Sequence, residues 1–238
     1  MSERGGNQRP EPDRKVALSF GIGRLHFVQA AAAIKDCGID ITCIQGWVPG
    51  RFIRDKWLDR LGKVVGSPNL SNGMKKRQLP FLEPTKNIGL AWPEFLTQFL
   101  FQLSKRFGLS RGVAASIGWR SFGFASRRFL GGQDIFHVRS GAGRGGAIAR
   151  ARQLGIVTLT DHSIAHPAFL QKQLQSEYEE TGLRFWMSPT DRFWAMIVKD
   201  CEEADLLLVN SDFVKETFVE EGFSAEKIAV AYLGVRED

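Results

Sequence analysis

Histidine, arginine and glycine residues follow three short apolar segments of this chain, and such residues can bind anions and carry protons. The first group lies at 21–24, the second at 137–140 and the third begins at 161–162. Imidazole and guanidinium groups donate hydrogen bonds to phosphate or carboxylate oxygens, and glycine lets a backbone approach a ligand closely. The candidate site residues are Gly21, Gly23, Arg24, His137, Arg139, Ser140, Asp161 and His162.

Short apolar segments alternate with helical patterns along the chain, which predicts an α/β domain. The predicted strands are 15–20, 39–44, 133–138, 156–160, 206–209 and 228–232, and the predicted helices include 27–35, 92–103 and 147–154. A helix between consecutive strands implies a right-handed crossover and parallel strands. We therefore predict a Rossmann-like, doubly wound, mostly parallel sheet. The carboxyl ends of its strands would bring the three groups to one edge.

A glycine-rich stretch at 140–146 offers another possible anion site. Gly141, Gly143 and Gly146 satisfy the GxGxxG pattern between a predicted strand and a predicted helix, and Asp161 ends the next predicted strand. Dinucleotide-binding units place a pyrophosphate on such a turn and a ribose-binding acid about 20 residues later. Three interpretations stay open: a dinucleotide-dependent oxidoreductase using Gly141–Gly146, contact with another phosphate or anion, and a turn without a ligand.

The charge of the chain is unevenly distributed. The formal net charge is +6, yet residues 177–238 carry 15 acids and 6 bases. Between Phe95 and Gln133 there is no acidic residue, and aromatic residues are interleaved with basic ones. Such a stretch can lie on an anionic membrane, follow a nucleic-acid backbone, or form a solvated basic face whose aromatic rings belong to the core. We expect the membrane surface or the solvated face, and no nucleic-acid partner.

Several classes of protein find no support in the sequence. Cys37, Cys43 and Cys201 lack CxxC spacing, so we expect reduced thiols without a disulfide framework or a zinc site. Residues 1–14 lack the apolar core of a signal peptide and are predicted to form a disordered tail. No stretch approaches the roughly 20 apolar residues that span a bilayer. The expected location is the cytoplasm, with the inner face of the membrane as the peripheral alternative.

The pattern of the chain resembles the N-terminal, acceptor-side domain of family 4 glycosyltransferases with the GT-B fold. The resemblance is strongest at 15–44 and 133–238, and it rests on the matching positions Ala204–Asp205, Ser211, Lys227–Ile228 and Gly234–Val235. Four positions depart from the family's pattern, one of them Arg236, which comes before the acid that follows Gly234–Val235. Ile22 separates the first glycines, Arg24 brings a positive charge where many members have an acid, and the chain has His-Val-Arg where many have His-x-His.

The resemblance implies a role for each candidate residue. His162 matches a cleft histidine near the transferred sugar and the donor pyrophosphate, and is therefore the expected catalytic residue. Gly21, Gly23 and Arg24 would form the cleft floor, and His137 and Arg139 would contact the acceptor. Ser140 and Asp161 are expected among the substrate-binding residues. Enzymes of this family use a nucleotide sugar as co-substrate, usually retain the anomeric configuration, and need no metal or other cofactor. The expected acceptor is a sugar or a lipid-linked molecule.

The same resemblance implies a domain organisation. Residues 15–233 would be the acceptor-binding domain and 234–238 the start of an interdomain linker, with the donor-binding domain absent from the chain. The chain alone is then expected to be incomplete as an enzyme, either truncated or complemented by another polypeptide. The alternative is a non-catalytic binding module that docks on an anionic membrane or on a partner chain.

Overall fold

A seven-stranded parallel sheet forms the centre of the computed structural model, in which residues 14–23, 27–49, 77–108, 110–182 and 191–232 are described. The strand order is β3-β2-β1-β4-β5-β6-β7. The strands are β1 (Lys15–Gly21), β2 (Asp40–Gln45), β3 (Asn87–Gly89), β4 (Ile135–Arg139), β5 (Val157–His162), β6 (Leu206–Val209) and β7 (Ile228–Val230). This order confirms the predicted Rossmann-like, doubly wound α/β fold.

Helices cover both faces of the sheet. The described α-helices are α1 (Phe27–Asp36), α2 (Ala91–Phe107), α3 (Arg111–Ser126), α4 (Ala147–Gln153), α5 (Pro167–Glu180), α6 (Arg192–Glu203) and α7 (Asp212–Glu220). Three short 3₁₀ helices lie at Pro84–Lys86, Arg127–Phe129 and Ala225–Lys227. Part of the predicted tail (1–13), Arg24 and the predicted linker at 234–238 lie outside the described residues.

Strand β1 shows why the sheet is covered on both faces. Its residues from Val16 to Gly21 are all buried, as expected for a central strand of a parallel sheet. Leu18 belongs to a core cluster with Phe27 of α1, whereas Ala17 belongs to a second cluster with Phe122 of α3. Successive side chains of a strand point to opposite faces, so one strand supplies both halves of the core.

Helix α3 was not predicted from the sequence, and neither were α5 and β3. Glycine lowers helix propensity, and α3 contains Gly112, Gly118 and Gly123. Each of these glycines sits where a neighbouring element comes close. A Cβ at Gly118 would lie 2.8 Å from the Cβ of Thr97 on α2, and one at Gly123 would overlap the backbone carbonyl oxygen of Arg144. Tertiary packing thus stabilises a helix whose local sequence does not favour one.

We expect Gly123→Ala to destabilise the domain by about 3 kcal/mol, because the added methyl group meets backbone atoms that cannot rotate away. In an unconstrained helix the same change stabilises by about 1 kcal/mol, so the sign of the effect is diagnostic. Urea unfolding measures the difference, with Ser121→Ala on the same helix as the control. An unchanged or increased free energy of unfolding in Gly123→Ala would show that α3 does not pack this closely.

Candidate functional site

The candidate residues meet at the point where the winding of the sheet reverses. β1 and β4 are neighbours in the sheet, although two strands separate them in the sequence. The carboxyl ends of two such strands flank a crevice, which is where open α/β sheets bind ligands. Gly21 ends β1, Arg139 ends β4, and the strand pairing places Arg139 directly opposite Asp161 of β5. All three predicted groups therefore reach the same edge, except for Arg24, which lies outside the described residues.

Arg139 supplies a positive charge at this edge. Its guanidinium lies over the ring of Trp119, 4.8 Å from the ring centroid, and against the backbone of Gly23. A Cβ at position 23 would overlap Nη1 of Arg139, so a larger residue there would require the guanidinium to shift. Burial lowers the pKa of Arg139 to about 10, with Asp161 acting in the opposite direction, so the group stays cationic at neutral pH. None of the ion pairs among the described residues involves Arg139.

His162 is held as a neutral imidazole. Its Nδ1 lies 2.8 Å from Oγ of Ser140, and its ring packs edge-on against Phe218 with the centroids 5.2 Å apart. The side chain is buried, and burial, followed by the nearby His166, lowers the pKa of His162 to about 4. Nε2 has no hydrogen-bond partner within the described part of the chain. Nε2 is thus a buried nitrogen whose hydrogen-bonding capacity is unused within these residues.

His137 and Asp161 form a second buried pair beside the first. Nε2 of His137 lies 3.3 Å from Oδ2 of Asp161, and the imidazole packs on Phe27 of α1 with ring centroids 5.0 Å apart. His137 and Arg139 are alternate residues of β4 and therefore face the same side of the strand. The sequence thus predicts that both reach this edge. The structure places the His137 ring against α1 and Asp161, so His137 helps to orient this carboxylate.

Trp119 is a site residue that the sequence did not single out. A Cβ at Gly21 would lie 2.5 Å from Cζ3 of its ring, and one at Gly141 would lie 3.3 Å from Cε3. Trp119 thus contacts the end of β1 and the turn after β4, and its ring packs against the guanidinium of Arg139. The sequence showed only one aromatic residue among many between Phe95 and Gln133, without a positional signal.

The glycine-rich turn after β4 is occupied by a carboxylate of the chain itself. The backbone amides of Gly141 and Gly143 donate hydrogen bonds of 2.7 and 2.8 Å to Oδ2 of Asp200, on α6. Nη1 of Arg144 lies 3.7 Å from the other oxygen of this carboxylate and 2.7 Å from Glu203. These two amides are not free to bind a phosphate. The geometry therefore disfavours a dinucleotide pyrophosphate on these two amides.

Asp200 is completely buried, and its ionisation is correspondingly unfavourable. Burial raises the pKa of Asp200 to about 7, although Arg144 and the two glycine amides act in the opposite direction. The sequence contained one signal for this residue. Asp200 comes three positions after Ile197 and directly before Cys201, both predicted core residues of the same helix. An acid on that face requires a partner inside the fold.

The three cysteines are free thiols, with Cys43 and Cys201 buried and Cys37 exposed. No cluster of three metal-ligating side chains occurs among the residues that the structure describes. Within the same residues, no helix is both long and apolar enough to cross a membrane.

Comparison with known proteins finds similarity at the level of fold. No family model matches the chain, and no curated protein sequence matches it. UDP-GlcNAc 2-epimerase from Methanocaldococcus jannaschii aligns at 12% identity and a TM-score of 0.41, covering 91% of this chain and 44% of that one. Phytolacca americana UGT2, complexed with UDP-2fluoro-glucose and pterostilbene, aligns at 9% identity and a TM-score of 0.45, covering 95% and 55%.

A third solved structure also aligns at low sequence identity. A UGT transferase from Siraitia grosvenorii in complex with UDP aligns at 13% identity and a TM-score of 0.37, covering 92% of this chain and 50% of that one. The chain spans about half the length of these three proteins. At these identities and TM-scores the alignments carry no conclusion about this chain.

We expect Asp200→Asn to change how the stability of the domain depends on pH. The folded state raises the pKa of Asp200 from 3.8 to about 7, so folding favours the protonated form. The wild-type chain therefore loses free energy of unfolding as the pH rises from about 4 to about 7, by at most about 1.4 kcal/mol per pH unit. Asparagine keeps an oxygen for the two amides and cannot ionise.

Urea unfolding across this pH range measures the effect as the difference between variant and wild type. That difference should grow in favour of Asp200→Asn as the pH rises, and then level off above about pH 7. Glu202→Gln, an exposed carboxylate on the same helix, is the matched control. A difference for Asp200→Asn that stays constant across the range would contradict the buried, destabilised carboxylate.

Proposed function

We propose that this domain binds the acceptor in glycosyl transfer from a nucleotide sugar, as its resemblance to family 4 glycosyltransferases implies. The observation that carries the proposal is the position of Arg139. It ends β4 at the reversal point of the sheet, lies against the Gly23 backbone, and forms no ion pair with a described residue. A cationic, stacked guanidinium in such a crevice suits a phosphate or carboxylate on the acceptor.

His162 is the proposed catalytic residue, in contact with the reacting sugar or the departing phosphate. Glycosyl transfer develops positive charge at the anomeric carbon and negative charge on the leaving oxygen. With its pKa near 4, His162 is neutral at neutral pH and has little affinity for a proton. We therefore propose that Nε2 forms a hydrogen bond with the sugar or the phosphate, while Ser140 fixes the ring through Nδ1. This role is not general base catalysis.

In the proposed function this domain binds the acceptor. The resembled family holds the nucleotide sugar largely with a second domain, and we propose the same division here, with retention of configuration and without a metal. Under this proposal Gly21 and Gly23 form the floor of the acceptor site, and Asp161, oriented by His137, contacts acceptor hydroxyl groups.

We expect the purified chain to bind glucose 1-phosphate more tightly than either glucose or inorganic phosphate, since the site offers one cation beside sugar-binding groups. Arg139→Ala should weaken glucose 1-phosphate binding about 10- to 100-fold, the usual contribution of a charged hydrogen bond. Arg139→Lys should recover part of the affinity for glucose 1-phosphate, because lysine keeps the positive charge but lacks the planar pair of N–H donors. Isothermal titration calorimetry measures each affinity.

Two controls make this titration decisive. Arg150→Ala removes an arginine of α4 outside the site and should leave binding unchanged. His162→Asn keeps a polar atom toward Ser140 but removes Nε2, and should weaken binding of glucose 1-phosphate. Equal affinities in wild type and Arg139→Ala would overturn the acceptor assignment. Tight NADH binding instead would favour the dinucleotide-dependent alternative.

A second candidate function is binding to an anionic membrane surface through the α2–α3 face, defined by the exposed residues of α2, of α3 and of the 3₁₀ helix Arg127–Phe129. Its exposed apolar residues are Trp92, Phe95, Phe99, Phe107, Ile117 and Phe124. Its exposed bases are Lys105, Arg106, Arg111, Arg120 and Arg128. The solvated-face interpretation holds for part of the stretch, because Trp119 and Phe122 belong to the core. The other aromatic rings remain exposed next to basic residues, which favours the membrane interpretation.

We expect the chain to cosediment with vesicles that contain anionic phospholipid, and to bind less at high salt and to pure phosphatidylcholine vesicles. The double change Phe95→Ser and Phe99→Ser should reduce vesicle binding at least about tenfold, since each ring buried in lipid contributes roughly 1.5–3 kcal/mol. Phe213→Ser on α7, where the side chain is also exposed, is the control. The same loss in the control, or no loss in the double variant, would contradict this face as the binding surface.

A further inference from the structure

A groove of about 470 Å³ opens on the side of the domain, between the start of α2, the middle of α3 and the glycine turn. Its lining consists of Trp92, Arg120, Ser121, Phe124, Arg144, Gly145 and Gly146. These residues provide two guanidinium groups, a hydroxyl group and two exposed aromatic rings, and the lining contains no carboxylate. The volume lies within the range of roughly 300–1,000 Å³ that is usual for small-molecule sites.

The floor of the groove is backbone, held in place by close packing. A Cβ at Gly145 would lie 2.6 Å from the backbone nitrogen of Phe124, so only glycine lets the turn rest on α3 at this point. Gly145 and Gly146 also have φ values of 79° and 90°, in the left-handed region that favours glycine. The hydrogen bonds from Gly141 and Gly143 to Asp200 also fix the start of the same turn.

The two arginines of the groove differ in their ion pairs with other described residues. Arg144 is positioned by Glu203, which accepts from its Nη1 at 2.7 Å, and so retains only part of its charge for a ligand. Arg120 is exposed on α3 and takes part in none of the ion pairs found among the described residues. Guanidinium groups bind phosphate through paired N–H donors, so Arg120 is the main anion-binding group here.

The groove is continuous with the α2–α3 face. Trp92 and Phe124 line the groove and are also two of the exposed rings of that face, 46% and 59% accessible. Arg127 lies over the Phe124 ring, 5.4 Å from its centroid, which places further positive charge beside the groove. Tryptophan rings favour the headgroup level of a bilayer, so the groove would sit at the depth of lipid phosphates when the face is docked.

We propose that this groove binds the phosphate monoester headgroup of an anionic phospholipid, with Arg120 and Arg144 on the phosphate and the rings of the face in the acyl boundary. This inference rests on the membrane-binding function proposed above. A phosphate monoester has three free oxygens and a charge of about −1.5 to −2, as a phosphorylated side chain does, and two guanidinium groups engage it better than a diester.

The test compares lipids at matched surface charge. The wild-type chain is sedimented with phosphatidylcholine vesicles that carry either phosphatidic acid or phosphatidylglycerol, the latter in proportion to its lower charge. We expect wild type to prefer phosphatidic acid about tenfold, and Arg120→Gln to lose that preference. Arg128→Gln, which removes an exposed arginine of the same face outside the groove, should weaken binding to both lipids alike and keep the preference.

The outcomes separate this inference from the function on which it rests. Equal losses on both lipids in Arg120→Gln and Arg128→Gln would overturn the groove as a headgroup site, while the membrane function would stand. Absence of vesicle binding by the wild type would overturn both. Titration with glycerol 3-phosphate separates the sources of the phosphate group. Tight, Arg120-dependent binding of this soluble probe without vesicle binding would overturn the lipid assignment. Thermal melting by circular dichroism confirms that each variant is folded.

Discussion

The interaction between Asp200 and the amides of Gly141 and Gly143 is the constraint on which the candidate site depends. It ties α6 to the turn that follows β4, and the backbone carbonyl of the same aspartate accepts a hydrogen bond of 3.3 Å from Thr160 of β5. The ends of two adjacent strands are thereby fixed by one buried residue. A turn of this composition binds external anions in other folds. Here the group that occupies the turn is the carboxyl group of Asp200, and the turn has become part of the framework.

Close approach between backbone segments determines where the aromatic residues of α3 lie. Gly118 and Gly123 bring the helix against α2 and the glycine turn, so Trp119 and Phe122 enter the core. Phe124 then points away from it. The ring of Trp119 packs against Arg139 at the crevice, and the ring of Phe124 lines the groove. One helix therefore contributes to both proposed binding surfaces through side chains only five residues apart, and neither surface can form unless α3 packs at this distance.

The alternation of strands and helices could be predicted from the sequence because burial of parallel strands leaves continuous apolar segments, such as 15–20 and 206–209. The convergence of Gly21, Arg139 and His162 followed from the same rule, since all lie at carboxyl ends of strands. Helix α3 could not be predicted, because glycines that weaken a helix locally are required by tertiary contacts. The hydrogen-bond partner of the GxGxxG turn could not be predicted either. Asp200 lies 57 residues from Gly143, and no local pattern connects them.

Burial has opposite consequences for the two polar groups on which the proposed chemistry depends. It removes the charge from His162, whose pKa falls to about 4, but leaves Arg139 cationic, since even a pKa of about 10 lies well above neutrality. The crevice therefore has one fixed positive charge beside a neutral hydrogen-bonding ring. The cation can hold an anionic acceptor, and the neutral ring adds no second positive charge beside the one that develops on a transferred sugar. Helix α3 contributes to both proposed surfaces, since Trp119 contacts Arg139 at the crevice and Phe124 lines the groove.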